Sequence, residues 1–297
     1  MTSAQPVLFV PHGAPTFALR PGAAGAALAA AARTLPRPRA IVIISAHWDT
    51  AMPTVGFAGR PDTIHDFWGF PEELYALRYP ATGCREAAQE VVAAIQAVGL
   101  PVQADPQHGL DHGAWIPLRL MFPDADVPVI PLSIQSQGGP AAAYRLGQAL
   151  APLAARNFLV IASGNITHNL GDFQRVGRNG GQTPAYVREF TDWIAGRLAA
   201  RDVTGLLDYR RQAPGAVQAH PTDEHLLPLY VALGAAGDPT KIQRFHAGID
   251  DYVIAMDAYA FLPDEAGQLA TDRPFESQPV VANEVQIQFR ITANAGE

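Results

Sequence analysis

Nine histidines and a single cysteine bound the metal and nucleophile chemistry open to this chain. Cys84 stands alone, which excludes an internal disulfide and a thiolate cluster, so a metal must be held by imidazole and carboxylate. Four histidines share a setting. His12, His47 and His168 follow apolar runs, in PHGA, SAHW and SGNITH, and His225 closes HPTDEH just ahead of another apolar stretch. Two or three histidines with an optional carboxylate and an open position form the ligand set of catalytic zinc or non-haem ferrous iron. Neither HExxH nor CxxC occurs. Residue types alone therefore leave two readings level, a metalloenzyme and a metal-free α/β enzyme with histidine as general base.

Such histidines act together only if the chain converges. Residues 7–10 (VLFV) read as a short buried strand, ended by the turn Pro11, His12, Gly13 and Ala14. The alanine-rich stretch 21–33 is helical by propensity, and Pro36 and Pro38 break the chain before residues 41–45 (IVIIS), a strand apolar enough to be buried on both faces. His47 is expected just past that strand. A right-handed crossover makes these two strands parallel and brings His12 and His47 to one carboxyl edge, where open α/β sheets hold ligands. Residues 158–162 (FLVIA) repeat the pattern and run into Ser163, Gly164, Asn165, Ile166, Thr167 and His168. Thr222 or Asp223 is expected to cap a helix over 226–233, placing Glu224 and His225 in its first turn. Successive helical residues point about 100° apart, so only one of these two faces a shared site.

The other segments supply walls and cover. Strands are expected over 53–57, 127–132, 242–246 and 252–261, and helices over 71–77, 83–98, 140–155 and 184–200; residues 201–216 are weakly patterned. Residues 64–70 (IHDFWGF) have no helical or strand period and form an aromatic loop over the core or a pocket. Residues 106–115 (PQHGLDHGAW) read as a loop in which His112, flanked by Asp111 and Gly113, is a pocket candidate. Beyond Pro263 the chain is polar and irregular until 285–291 (VQIQFRI), whose alternation suits an edge strand. The expected architecture is one α/β domain, a central, mostly parallel mixed sheet flanked by helices, with the metal site at the strand carboxyl ends.

Composition narrows the partners. With 48% hydrophobic and 16% charged residues in 297, the chain is a globular protein with a large core. A formal charge of −7 and the absence of a Lys/Arg run speak against nucleic acid and anionic membranes, leaving small molecules. No signal-like or membrane-length apolar segment is present, and a cytoplasmic location is expected.

Taken together, PHGAPTFAL, ISAHW, TIHDFWGFPEELYALRYPATG, LDHGAWIPLRLMFPDADVPVIPLSIQ, ASGNITHNL and HPTDEHLLPL resemble the class III extradiol ring-cleavage dioxygenases, in the branch similar to DOPA 4,5-dioxygenase. The resemblance implies a catalytic domain over residues 1–262 and leaves 263–297 as a C-terminal extension outside it. It implies His12 and His47 as metal ligands, His168 as acid/base or further ligand, and His225 as the third protein ligand where the wider class has a glutamate; Glu224 is the alternative by position. It also implies Fe(II), O2, a catechol-type substrate and a ring-opened semialdehyde, in a monomer or small homo-oligomer. Beside it, we expect His112, oriented by Asp111, to hydrogen-bond the substrate or a ligand. His65, Asp66 and Trp68 are expected to line the mouth, and His220 to be either a structural helix-entry residue or a support behind the ligands, while His108 and His246 carry no role. An all-histidine set also suits Zn(II). A zinc hydrolase on this scaffold, or a non-enzymatic relative using the pocket as an interaction surface, is the alternative.

Overall fold

The long β-branched runs become the centre of an eight-stranded sheet. The computed structural model describes residues 4–178, 181–239, 241–263 and 269. In chain order the elements are β1 (Val7–Pro11), α1 (Gly22–Thr34), β2 (Ala40–Asp49), β3 (Thr54–Gly56), α2 (Glu72–Ala76), α3 (Arg85–Ala97), β4 (Gln103–Asp105) and α4 (His112–Met121). They continue with β5 (Val129–Ile134), α5 (Gly139–Ala154), β6 (Phe158–Gly164), α6 (Leu170–Arg178), α7 (Ala185–Ala199), α8 (Val203–Leu207), α9 (Tyr209–Gln212) and α10 (Ala216–Ala219). Last come α11 (Leu227–Ala235), β7 (Lys241–His246), β8 (Ile249–Asp250), β9 (Ile254–Ala255) and β10 (Ala258–Leu262).

Strand order is β4-β3-β5-β2-β6-β1-β10-β7. The central four, β5, β2, β6 and β1, are parallel, and antiparallel strands flank them, β3 on β5 and β10 on β1. Every residue of β1, β5 and β6 is buried, which is why these strands read as nearly continuous apolar runs. β1 and β2 are parallel as expected, yet β6 lies between them. The crossovers β1–α1–β2 and β5–α5–β6 run in opposite directions across the sheet, so right-handed connections put α1 and α5 on opposite faces.

On one face α11 packs against α5 so closely that two glycines are required. A Cβ on Gly147 would stand 2.1 Å from the Val231 carbonyl oxygen, and one on Gly234 2.1 Å from that of Tyr144. All nine residues of α11 are buried, so this helix has no polar face to display in the sequence. On the other face α1 packs on α4, and α4 on β2 and β6.

Several expectations change. β2 runs through His47 to Asp49 instead of ending before it. Residues 112–115, read as loop, open α4, with Asp111 as its N-cap accepting the Ala114 N–H at 3.1 Å. The weakly patterned stretch holds two short helices, α8 and α9, with α10 starting at its last residue, and the last expected strand divides into β9 and β10. The alternating residues 285–291 lie outside the described residues. Among the described residues no helix is long and apolar enough to cross a membrane.

Candidate metal centre

The parallel strands deliver the histidines by ending at different heights. β2 pairs with β6 as far as Ser45 opposite Ser163. On its other side the ladder to β5 shifts between Ile44, opposite Leu132, and Asp49, opposite Ile134, so five steps along β2 match two along β5. The intervening residues bow out of register, and His47 projects beyond the end of β6. His12 follows Pro11 at the end of β1 and is fully buried. Gly13 then turns the chain at φ +59, a region that glycine enters at little cost.

His225 arrives differently from expectation. It sits in the turn before α11 and not in the helix, with the N–H groups of Leu226 and Leu227 both donating to the Asp223 carbonyl. This turn is docked on the end of β6, where Asn165 N–H donates to the His225 carbonyl at 2.9 Å. Gly164 permits the approach, since a Cβ there would lie 2.3 Å from that same oxygen.

The three imidazoles meet at their Nε2 atoms. His47 Nε2 is 3.2 Å from His12 Nε2 and 3.2 Å from His225 Nε2. Tetrahedral coordination at about 2.0–2.1 Å per nitrogen places donors about 3.3 Å apart, so the spacing is that of a coordination polyhedron. The opposite nitrogens decide what these atoms carry. Ser163 Oγ donates to the Gly113 carbonyl, so toward His12 Nδ1, 3.0 Å away, it can only accept. His225 Nδ1 faces Glu224 Oε1 at 3.1 Å, and His47 Nδ1 faces Asp66 Oδ2 at 3.4 Å. An oxygen beside each Nδ1 favours keeping the proton there, which leaves each Nε2 a lone pair. Asn165, held by Gly13 N–H on its Oδ1 (3.2 Å), points its amide at His12 Nε2 (3.3 Å), as a donor approaching a lone pair. Three converging lone pairs repel one another unless a cation lies between them, so the donor set fits a metal ion.

Electrostatics agree. Burial, reinforced by the neighbouring imidazoles, pushes His12 and His225 well below the ordinary imidazole range. Burial and His112 bring His47 down to about 3, against the pull of Asp66. All three are neutral at pH 7, the state a metal requires.

The remaining candidates divide. His168 lies parallel on His225, ring centroids 3.4 Å apart, and burial brings it down to about 4. His112 joins the cluster with its ring 4.0 Å from that of His47. Its partner is Asp66, whose Oδ2 accepts from Nδ1 at 2.9 Å, and not Asp111. Asp111 caps α4 and accepts from Ser45 Oγ at 2.5 Å, directions that leave its carboxylate facing the helix and β2. Glu224 turns to His225 as a hydrogen-bond acceptor, leaving His225 as the residue that enters the cluster. His65 donates from Nε2 to the Leu77 carbonyl at 3.1 Å, and its ring packs among Phe67, Tyr75 and Trp115. Trp68 is 85% exposed on the Asp66 loop. His220 is fully buried behind the cluster, donating from Nε2 to the Ile166 carbonyl at 2.7 Å and so bracing the chain that leads to His168. Ser163 and Asn165 stand in the quoted SGNITH segment but were assigned no role by sequence reasoning. The one signal was their position directly after a buried strand.

Comparison with known proteins places this geometry. The family model "Catalytic LigB subunit of aromatic ring-opening dioxygenase" matches residues 24–255. The "4,5-DOPA dioxygenase extradiol" of Beta vulgaris is 40% identical over 226 residues, 76% of this chain and 83% of the relative. That of Escherichia coli (strain K12) is 38% identical over 240 residues, 78% of this chain and 85% of the relative. The crystal structure of an uncharacterized protein from Escherichia coli K12 superposes with a TM-score of 0.71 at 30% identity, covering 86% of this chain and 99% of that one. An α/β sheet with histidines converging beyond its strand ends, matched over most of its length, therefore makes this chain a member of the LigB family of aromatic ring-opening dioxygenases.

Proposed function

We propose that the chain is an Fe(II)-dependent extradiol dioxygenase that opens the ring of a catechol-type, DOPA-like substrate to a semialdehyde, with His12, His47 and His225 as metal ligands. One observation carries the ligand assignment: His47 Nε2 stands 3.2 Å from the Nε2 of His12 and 3.2 Å from that of His225, with an oxygen facing the opposite nitrogen of each ring. The substrate class is supported by the names of the relatives. The catalytic domain in this reading is residues 1–262, with 263–297 as an extension.

When bound, Fe(II) supplies a redox centre at which catechol oxygens and O2 are brought adjacent. The chain's own residues do the rest. Ser163 and Glu224 accept from the Nδ1 atoms of His12 and His225, and Asp66 faces that of His47 at 3.4 Å, which orients the three ligands. His168, a neutral imidazole at pH 7 stacked on His225, takes a catechol hydroxyl proton and returns it as the ring opens. His112, its Nδ1 committed to Asp66, presents Nε2 for a substrate hydrogen bond. Phe67 packs edge-on against His112 at 5.7 Å and excludes water from that side.

The all-histidine set also accepts Zn(II), which would make the reaction hydrolytic and independent of oxygen. One assay separates the two. Protein loaded anaerobically with Fe(II), given a catechol panel that includes DOPA and then air, is expected to consume O2 in step with a coloured ring-opened product. Absence of uptake across the panel, with Fe(II) bound, refutes the dioxygenase reading, and turnover by the Zn(II) form under argon establishes the hydrolytic one.

A further inference from the structure

A single carboxylate stands between two of the site's histidines. Asp66 lies on the aromatic loop 64–70, and its two oxygens have separate partners. Oδ1 accepts the backbone N–H of His112, the first residue of α4, at 2.8 Å. Oδ2 accepts from His112 Nδ1 at 2.9 Å and lies 3.4 Å from His47 Nδ1. The two rings are close neighbours, with centroids 4.0 Å apart. Asp111, adjacent to His112 in sequence, spends its Oδ1 on Ser45 and Ala114.

We propose that Asp66 is a positioning residue that fixes the tautomers of His47 and His112 together, holding both Nε2 lone pairs toward the metal pocket and making loop 64–70 part of the metal site. Oδ2 accepts the His112 Nδ1–H and carries its charge within 3.4 Å of His47 Nδ1, so either ring that moves its proton to Nε2 loses that stabilisation. On His47 that proton would occupy the very atom that stands 3.2 Å from the Nε2 of His12 and of His225. The inference rests on the reading of His47 as a ligand.

Asp66→Asn tests it in the full chain, because the amide has one acceptor and one donor end. If its oxygen stays on the His112 backbone N–H, its NH2 faces both Nδ1 atoms, which must then accept and shift their protons to Nε2. If it turns over, donor meets donor at the helix start. The expected result, by chelator competition with Zn(II) and with Fe(II), is a loss of about 10- to 100-fold in metal affinity. Affinity within about twofold of the wild type overturns the inference, since about tenfold is the smallest loss expected of such a partner. A second measurement needs no variant: side-chain 15N shifts of metal-free wild-type protein should show His47 and His112 both as the Nδ1–H tautomer, and either ring as Nε2–H overturns the proposal. Wild-type protein that binds no metal overturns the ligand assignment and this inference together. Stoichiometric wild-type binding with an unaffected Asp66→Asn variant overturns this inference alone.

Discussion

Gly113→Ala sets two effects of known size against each other. Gly113 is the second residue of α4, where alanine is favoured over glycine by at most about 1 kcal/mol. Against that, a Cβ at Gly113 would stand 2.4 Å from Ser45 Oγ, 2.9 Å from His47 Cδ2 and 3.2 Å from Asp111 Oδ1. Ser45 cannot give way freely, because its hydroxyl is tied to buried Asp111. Overpacking by one carbon in such a place costs about 1–3 kcal/mol, so sterics win over propensity. Taking the middle of that range, about 2 kcal/mol, less about 1 kcal/mol for propensity leaves about 1 kcal/mol, a fall of about 2–4 °C in the metal-free Tm. The second consequence is specific to the site. To reach ordinary contact His47 Cδ2 must retreat by about 0.5 Å, and Nε2, bonded to it, moves by a similar amount, whereas metal–ligand distances tolerate about 0.2 Å. Metal affinity should therefore fall by at least about tenfold, comparable to losing a partner that orients a ligand. Calorimetry of the metal-free protein and chelator competition measure the two. A Tm at or above the wild-type value with unchanged affinity would refute the packing argument and the placement of His47 against α4.

Two further outcomes follow from the hydrogen bonds and titrations. Ser163→Ala removes the acceptor on His12 Nδ1 and leaves a buried N–H unpaired; it should cost about 1–3 kcal/mol in denaturant unfolding and about tenfold in metal affinity, and a neutral result would show that His12 is oriented by something else. His220 is buried and brought down to about 3 from 6.5, chiefly by desolvation, so below pH 6.5 the unfolded chain binds a proton that the folded chain refuses until pH approaches 3. Its contribution is complete above pH 6.5 and falls as the pH drops, by about 1.4 kcal/mol per pH unit. His220→Gln should flatten the pH dependence of unfolding between pH 6 and pH 4 by about one proton; an unchanged slope would count against a neutral buried His220.

Local chemistry explains what can be read directly. Residues 41–44 and 158–162 announce themselves as central strands because a strand covered on both faces favours apolar residues at successive positions, and every residue of β6 is buried. His12 and His47 are recognisable because each follows such a run, and Nε2 atoms 3.2 Å apart are what that placement delivers. Position in a turn is less legible. His225 looked helical because Thr222 and Asp223 are good caps, yet docking of its carbonyl on Asn165 N–H holds it outside α11. His112 looked like loop because glycines surround it, although Asp111 was an N-cap in plain view.

By itself the sequence determined the apolar strands, the α/β class and the histidines that follow strand ends, since burial and backbone periodicity act on neighbours along the chain. The partners of those histidines were decided only by tertiary structure. β6 enters between β1 and β2 because strand order is set by packing of distant segments, and with it come Ser163 on His12 and Asn165 beside it. Asp66 reaches His112 across 46 positions while the adjacent Asp111 is drawn to its own helix terminus and Ser45. A hydrogen bond requires that donor and acceptor meet at about 3 Å and in line, and separation along the chain does not enter that condition.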